Sequence, residues 1–284
     1  MTAEFVLPPS AEGADLATGS ILFIGTATVL IRYAGFTILT DPNFLHRGDS
    51  VHLGYGLRSQ RLTEPAMNFE GLPTFDLVLL SHLHEDHFDR LVNQRLNRSI
   101  PITTTPKAAH ALSRGGFQKT FGLRTWEAMT FGKGAVRLRV TAMPGRHGPS
   151  LIHRLMPPVM GSMVEFYKGT DRVEPLLRLY ITGDTLVFDE LKEIPSRYPV
   201  IDQALLHLGG TRALGILVTM DGKQGVDMLR LISPKLAIPI HYNDYTVFKS
   251  PLEEFQREVK VAGLEQVVRY LGHGDMYTFK VPQR

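Results

Sequence analysis

The segment Ser81–Asp89, SHLHEDHFD, follows directly on the apolar run Asp76–Ser81, DLVLLS. DLVLLS has the length and continuous apolarity of a buried strand. Side chains alternate with period two along a strand, so His82 and His84 leave its end on the same side. The turn that follows carries Asp86 and His87 back toward them before a helical pattern begins at Phe88. Three imidazoles and a carboxylate therefore converge at one sheet edge. Asp86 alone would serve as a helix cap, but the set of four calls for a metal ion. The sequence has no cysteine, which excludes disulfides and thiolate sites and leaves any metal to imidazole and carboxylate.

Working outward, Ser20–Ile24, Thr28–Tyr33 and Phe36–Thr40 read as short strands punctuated by Gly25 and Ala34-Gly35. A long loop, Asp41 to about Phe75, precedes the DLVLLS strand. Beyond the histidine cluster, a helix over Phe88–Leu96, a strand over Ile100–Thr104 and a helix over Pro106–Ser113 are expected. Val136–Met143 alternates arginine with apolar residues as a half-buried strand does. In the second half, strands are predicted at Ser162–Tyr167, Leu176–Thr182, Gln203–His207, Leu236–Ile240, Val267–Leu271 and Met276–Val281. Helices are predicted at Asp221–Ile232 and Pro251–Val261. Two strand-rich halves, each with helices, imply an α/β architecture of two face-to-face sheets with helices outside. With no Pro/Ser-rich linker and no fixed-period repeat, the expectation is a single domain over residues 20–284 behind a polar leader, residues 1–19.

His82-Leu83-His84-Glu85-Asp86-His87 resembles the His-x-His-x-Asp-His signature of the metallo-β-lactamase superfamily, an αββα sandwich. Four further segments follow in the superfamily's order. Ile38–Pro42 (ILTDP) is similar to its first motif, Met143–His147 (MPGRH) offers a third-motif histidine, Ile181–Thr185 (ITGDT) resembles the bridging-aspartate motif, and Ile238–Tyr242 (IPIHY) supplies the last histidine. The resemblance implies one metal held by His82, His84 and His147 and a second held by Asp86, His87 and His241. It makes Asp184 the bridge and Asp41 the support of a ligand histidine. Five imidazoles and two carboxylates suit two Zn²⁺ ions, with Mn²⁺ and Fe²⁺ also compatible. Histidine at position 84, where the flavodiiron branch typically has glutamate, favours hydrolysis over redox chemistry.

Water between two such cations falls in pKa from about 16 to about 7 and becomes the nucleophile. No Gly-x-Ser-x-Gly elbow and no phosphate-cradling Gly-Lys-Ser/Thr loop competes with that reading. Asp86 is the candidate proton shuttle and Asp184 the second catalytic carboxylate. Within the superfamily, GTATVLI at Gly25–Ile31, ILTDP and PIHY resemble the group of N-acyl phosphatidylethanolamine phospholipase D and ascorbate-6-phosphate lactonase. Thr26 departs from it, standing where relatives often have histidine. The expected substrate is a phosphodiester or phosphate-bearing small molecule, with a lactone as the alternative and a non-catalytic metal-binding module as the reading from another class. His207, in LLHLGG, either orients substrate or is a core histidine. Arg146 and Arg212 are candidates to hold an anion bidentately or are surface charges. Leu151–Met163, LIHRLMPPVMGSM, is either an adaptable apolar wall for an acyl group or core packing. His46, His52, His110, His153 and His273 read as ordinary histidines.

At 43% hydrophobic and 21% charged, the 284 residues have the balance of a soluble protein with a sizeable core. The net charge of +3 is compatible with anionic substrates and too small to imply nucleic-acid binding. The first residues lack a basic start followed by an apolar core, and no apolar run reaches membrane-spanning length. A cytoplasmic enzyme without membrane insertion, acting on a small molecule and possible as a homo-oligomer, is the expectation.

Overall fold

The computed structural model describes residues 4–9, 13–54, 56–149, 153, 156–169, 174–213 and 215–281. Two seven-stranded sheets face each other. The first runs Glu4–Val6, Ala128–Lys133, Val136–Met143, Gly161–Lys168, Leu177–Ile181, Gln203–His207, Leu236–Ile240. The second runs Met276–Lys280, Thr18–Gly25, Thr28–Tyr33, Phe36–Thr40, Leu77–Leu79, Ile102–Thr104, Thr120–Gly122. Each has an antiparallel part and a parallel part. Phe36–Thr40, Leu77–Leu79, Ile102–Thr104 and Thr120–Gly122 are mutually parallel, as are Leu177–Ile181, Gln203–His207 and Leu236–Ile240. Parallel neighbours end on the same side, which stacks the loops after them along one edge of the sandwich.

Period-two alternation sorts the core. Leu205, Ile238, Leu179 and Ile181 point between the sheets, where they meet Ile21, Ile31, Ile38 and Leu77 of the other sheet. The intervening Ala204, Leu206 and Ala237 point outward against the helices Gly222–Ile232 and Leu252–Ala262 through Val226, Leu229 and Phe255. On the far side, Leu30, Leu39, Val78 and Leu80 pack on Val92 and Leu112 of the helices Arg90–Arg95 and Pro106–Arg114. This is the helix–sheet–sheet–helix layering expected from the sequence. Among the described residues no helix is long and apolar enough to cross a membrane.

Four features depart from the sequence reading. The expected polar leader contributes Glu4–Val6 as an edge strand, parallel to Ala128–Lys133. The strand expected at Val267–Leu271 is a 3₁₀ turn, Glu265–Val267, followed by a single bridge from Val268 to Ala237. The loop after Asp41 contains a ribbon, Ser50–His52 with Arg58–Gln60. A second ribbon, Arg212–Ala213 with Ile216–Leu217, lies beyond the Gln203–His207 strand.

Candidate metal centre

Each segment that carries a candidate ligand begins just past a strand on the shared edge, as does the supporting Asp41. Asp41 follows Phe36–Thr40, His82 follows Leu77–Leu79, His147 follows Val136–Met143, Asp184 follows Leu177–Ile181, and His241 follows Leu236–Ile240. The turn after His84 is closed by the amides of His87 and Phe88, which donate to the His84 carbonyl at 3.0 and 2.9 Å. That turn folds Asp86 and His87 back over the strand end. Asp89 then caps the Arg90–Arg95 helix, accepting from the Val92 amide at 2.8 Å. Gly183 is required before Asp184: its φ is +63°, and a Cβ would meet the Met160 carbonyl oxygen at 2.6 Å. Asp41 and His241 themselves have φ of +34° and +62°. The surrounding structure holds both in a region costly to residues with side chains.

The residues gather into sets whose ligand atoms lie within 4.8 Å of one another: His82, His84 and His147; Asp86, His87 and His241; and His82, His87 and Asp184, which links them. All are buried, none more than 7% exposed. His82 Nε2 and His84 Nδ1 are 2.8 Å apart. Asp184 lies 3.4 Å from His87 Nε2, Asp86 lies 3.5 Å from His241 Nε2, and Thr219 donates its hydroxyl to Asp184 at 3.1 Å. The outward nitrogens are anchored: His147 Nδ1 donates to the Val218 carbonyl at 2.9 Å and His241 Nδ1 to the Leu208 carbonyl at 3.1 Å. His87 Nδ1 is 3.3 Å from Asp41, whose Oδ1 also accepts from the Ser81 amide and hydroxyl, both at 2.8 Å. Outward nitrogens fixed in this way leave the opposite nitrogen free to face a cation.

Those inner atoms have no other partner. His84 Nε2, Asp86 Oδ1, His87 Nε2, Asp184 Oδ1 and His241 Nε2 are buried without a hydrogen bond. Buried polar atoms are normally paired, because each one left bare costs about 1–3 kcal/mol. A concentration of bare imidazole and carboxylate atoms at one point fits divalent cations. The protonation pattern differs between the sets. Burial, reinforced by neighbouring imidazoles, pushes His82 well down and His84 down to about 4, and burial also lowers His147. Burial works against charge at His87 and His241 too, but Asp184 and Asp86, with Asp41 at His87, outweigh it and raise both. The same attraction holds Asp86 and Asp184 low despite their burial.

Above the ligands lies a small cavity lined by His84, Asp86, His147 and Asp184 on one side. Leu53 and Leu57 of the first ribbon, Thr211, Ala213 and Val218 around the second, and Met156 line the other. None of these wall residues except Met156 fell within a stretch the sequence singled out. Thr211 is 7% exposed, and its hydroxyl has no partner. Gly209-Gly210 before it is the one local signal for a backbone brought close to the site.

The other sequence candidates lie elsewhere. Arg146 turns from the cavity, bonding Glu190 at 3.1 Å with its guanidinium 4.3 Å over the Phe188 ring. Arg212 is exposed and donates to the Gly215 carbonyl. His207 does not line the cavity; it is fully buried behind His87, the rings nearly parallel at 5.9 Å, with Nε2 3.5 Å from Asp41. Its parity with Leu205, two residues earlier and facing the inter-sheet core, accounts for that direction. Thr26 is fully buried. His273 bonds Asp244 at 3.2 Å, away from the ligands, and His46 pairs with Glu64 at the surface. Of Leu151–Met163, Met156 lines the cavity while Met160 and Met163 are core; residues 151, 152, 154 and 155 lie outside the described residues.

Comparison with known proteins agrees with this geometry. The family description Beta-lactamase superfamily domain matches residues 37–242, a span that contains every ligand candidate. A metal-dependent hydrolase of Carboxydothermus hydrogenoformans is 29% identical over 258 residues, 90% of this chain and 98% of its own length. Another, from Nanoarchaeum equitans, is 29% identical over 202 residues, 70% of this chain and 84% of its own. The crystal structure of an isothiocyanate hydrolase from Delia radicum gut bacteria superposes with a TM-score of 0.75 at 20% identity, covering 92% of this chain and all of that one. With the sandwich, the strand-end ligands and the matched span all in agreement, the chain belongs to the metallo-β-lactamase superfamily and is a metal-dependent hydrolase.

Proposed function

We propose that the protein is a dinuclear hydrolase whose substrate is a neutral carboxylic ester, most readily a lactone. The observation that carries the dinuclear part is the meeting of two ligand sets on Asp184, with their facing atoms bare. When bound, the cation pair supplies a water that ionises near neutral pH and a Lewis acid for the scissile oxygen. Zinc suits this donor set, with Mn and Fe compatible. The protein's own groups do the rest. Asp184, held by Thr219, fixes the two sets relative to each other. Asp86 borders the cavity and, through the carboxylate oxygen not given to the cation, carries the proton to the leaving group. The Thr211 hydroxyl is placed to bond a substrate oxygen.

The choice of bond rests on the cavity wall. Its far side is mostly apolar, and the two arginines that would have held a phosphate are engaged elsewhere. An apolar wall favours a neutral carbon skeleton over an anionic phosphodiester, since burying an unpaired charge is costly. The phosphodiester is the second reading, favoured by the net positive charge. The finer resemblance, to the phospholipase D and ascorbate lactonase group, contains both bond types. The metal-loaded protein should be assayed on an aliphatic lactone and on bis(p-nitrophenyl) phosphate, with and without chelator. Faster chelator-sensitive lactone opening is expected. Faster phosphodiester cleavage would replace the lactone reading, and turnover that survives exhaustive chelation would remove the metal mechanism.

A further inference from the structure

Behind the ligands lies a residue, His207, that the hydrolytic reading does not use. Asp41, His87 and His207 have donor atoms within 4.8 Å of one another, and all are essentially inaccessible to solvent. Asp41 Oδ1 is taken by Ser81 and His87, which leaves Oδ2 facing His207 Nε2 at 3.5 Å. The other edge of His207 is tied to Thr182. The His207 amide donates to the Thr182 hydroxyl at 2.9 Å, and that hydroxyl lies 3.4 Å from His207 Nδ1. A hydroxyl that accepts from the amide has its own proton to give to Nδ1. The imidazole proton then belongs on Nε2, toward Asp41. Nε2 has no other partner, and a buried donor left bare is costly enough to seek the nearest acceptor. Among the candidate ligands, the His207 ring contacts His87 at 5.9 Å and His241 at 5.6 Å. Both belong to the Asp86–His87–His241 set.

We propose that His207 is a positioning residue for the second metal alone: it holds the Asp41 carboxylate against His87 and backs the His87 and His241 rings. The proposal rests on the two-metal reading above. It places a layer behind the usual support, His207 to Asp41 to His87. Losing a supporting partner of a metal ligand typically lowers affinity roughly 10- to 100-fold.

The test compares wild type, His207→Leu, which keeps bulk without a donor, and His207→Gln, which keeps an amide N–H at similar reach. Zinc stoichiometry by elemental analysis and stepwise affinity by competition with a chromogenic chelator are the readouts. His207→Leu should retain the first zinc at wild-type affinity and bind the second roughly 10- to 100-fold more weakly, and His207→Gln should recover most of the loss. Equal weakening of both zincs, no weakening, or identical Leu and Gln variants would overturn the proposal. So would a third zinc lost with His207, which would make it a ligand. Should His207→Leu not fold, His207→Met, which also lacks a donor, takes its place and must bind the second zinc more weakly than His207→Gln does; equal affinities of the two overturn the proposal. A wild type that binds a single zinc would sink the two-metal reading as well, and is told apart by its stoichiometry.

Discussion

His82, His84 and His147 form an all-imidazole set, of which His84 and His147 border the cavity, whereas Asp86, His87 and His241 form a mixed set that reaches the cavity through Asp86. In the first, burial and like neighbours keep the imidazoles unprotonated, His84 down to about 4. In the second, the carboxylates overcome burial and raise both histidines. The first set therefore presents free lone pairs at neutral pH. The second stores protons that a cation must displace. One short motif, by placing His82 and His84 before the turn and Asp86 and His87 after it, builds two sites of opposite electrostatic character.

The largest expected effect removes what the sets share. Asp184→Ala should cost both metals and lower turnover by more than the roughly 100-fold typical of a supporting residue. Elemental analysis together with the lactone rate checks this, and retained metal with a retained rate would mean that the two sets do not meet on Asp184. The next sharpens the contrast in charge. His87 and His241 have raised pKa values without metal, so lowering the pH keeps them protonated and competes with the cation. His82 and His84 are already unprotonated across the same range. From pH 8 to pH 6 the second zinc should weaken by about tenfold per pH unit for each proton displaced, and the first should change much less. Calorimetric titration at several pH values checks this, and parallel slopes for the two zincs would erase the contrast. The smallest effect lies on the cavity side. Thr211→Val should lower kcat/KM by about fivefold to tenfold, the value of one hydrogen bond of about 1 kcal/mol, with both zincs retained. An unchanged kcat/KM would take Thr211 out of substrate contact.

Much of the frame was legible because its signals are local. Thr28–Tyr33, Phe36–Thr40, Val136–Met143, Gln203–His207 and Leu236–Ile240 form strands over the residues read from the sequence. There, apolar runs or period-two alternation end at turn residues. Ala128–Lys133 carries a glycine and weak alternation, and its pairing with Val136–Met143 makes it a strand. Val267–Leu271 shows the reverse: its apolar pattern suits a strand, but its pairing stops at a single bridge, Val268 to Ala237, with the Arg269 amide donating to the Ala237 carbonyl. Around the ligands, order along the chain indicated which residues gather, but not which way their neighbours point. Arg146 is adjacent to His147 and still turns to Glu190 and Phe188. The parity of His207 with Leu205 was available and would have placed it inside the sandwich. Leu53, Leu57 and Val218 reach the cavity only through the two ribbons, contacts between distant segments that no local pattern announces.

The most direct measurement is anomalous diffraction at the zinc edge from crystals of the zinc-loaded protein. The account predicts two peaks per chain, one among His82, His84 and His147 and one among Asp86, His87 and His241, with Asp184 between them. A single peak, or a peak centred on Asp41, His87 and His207 instead, would contradict it.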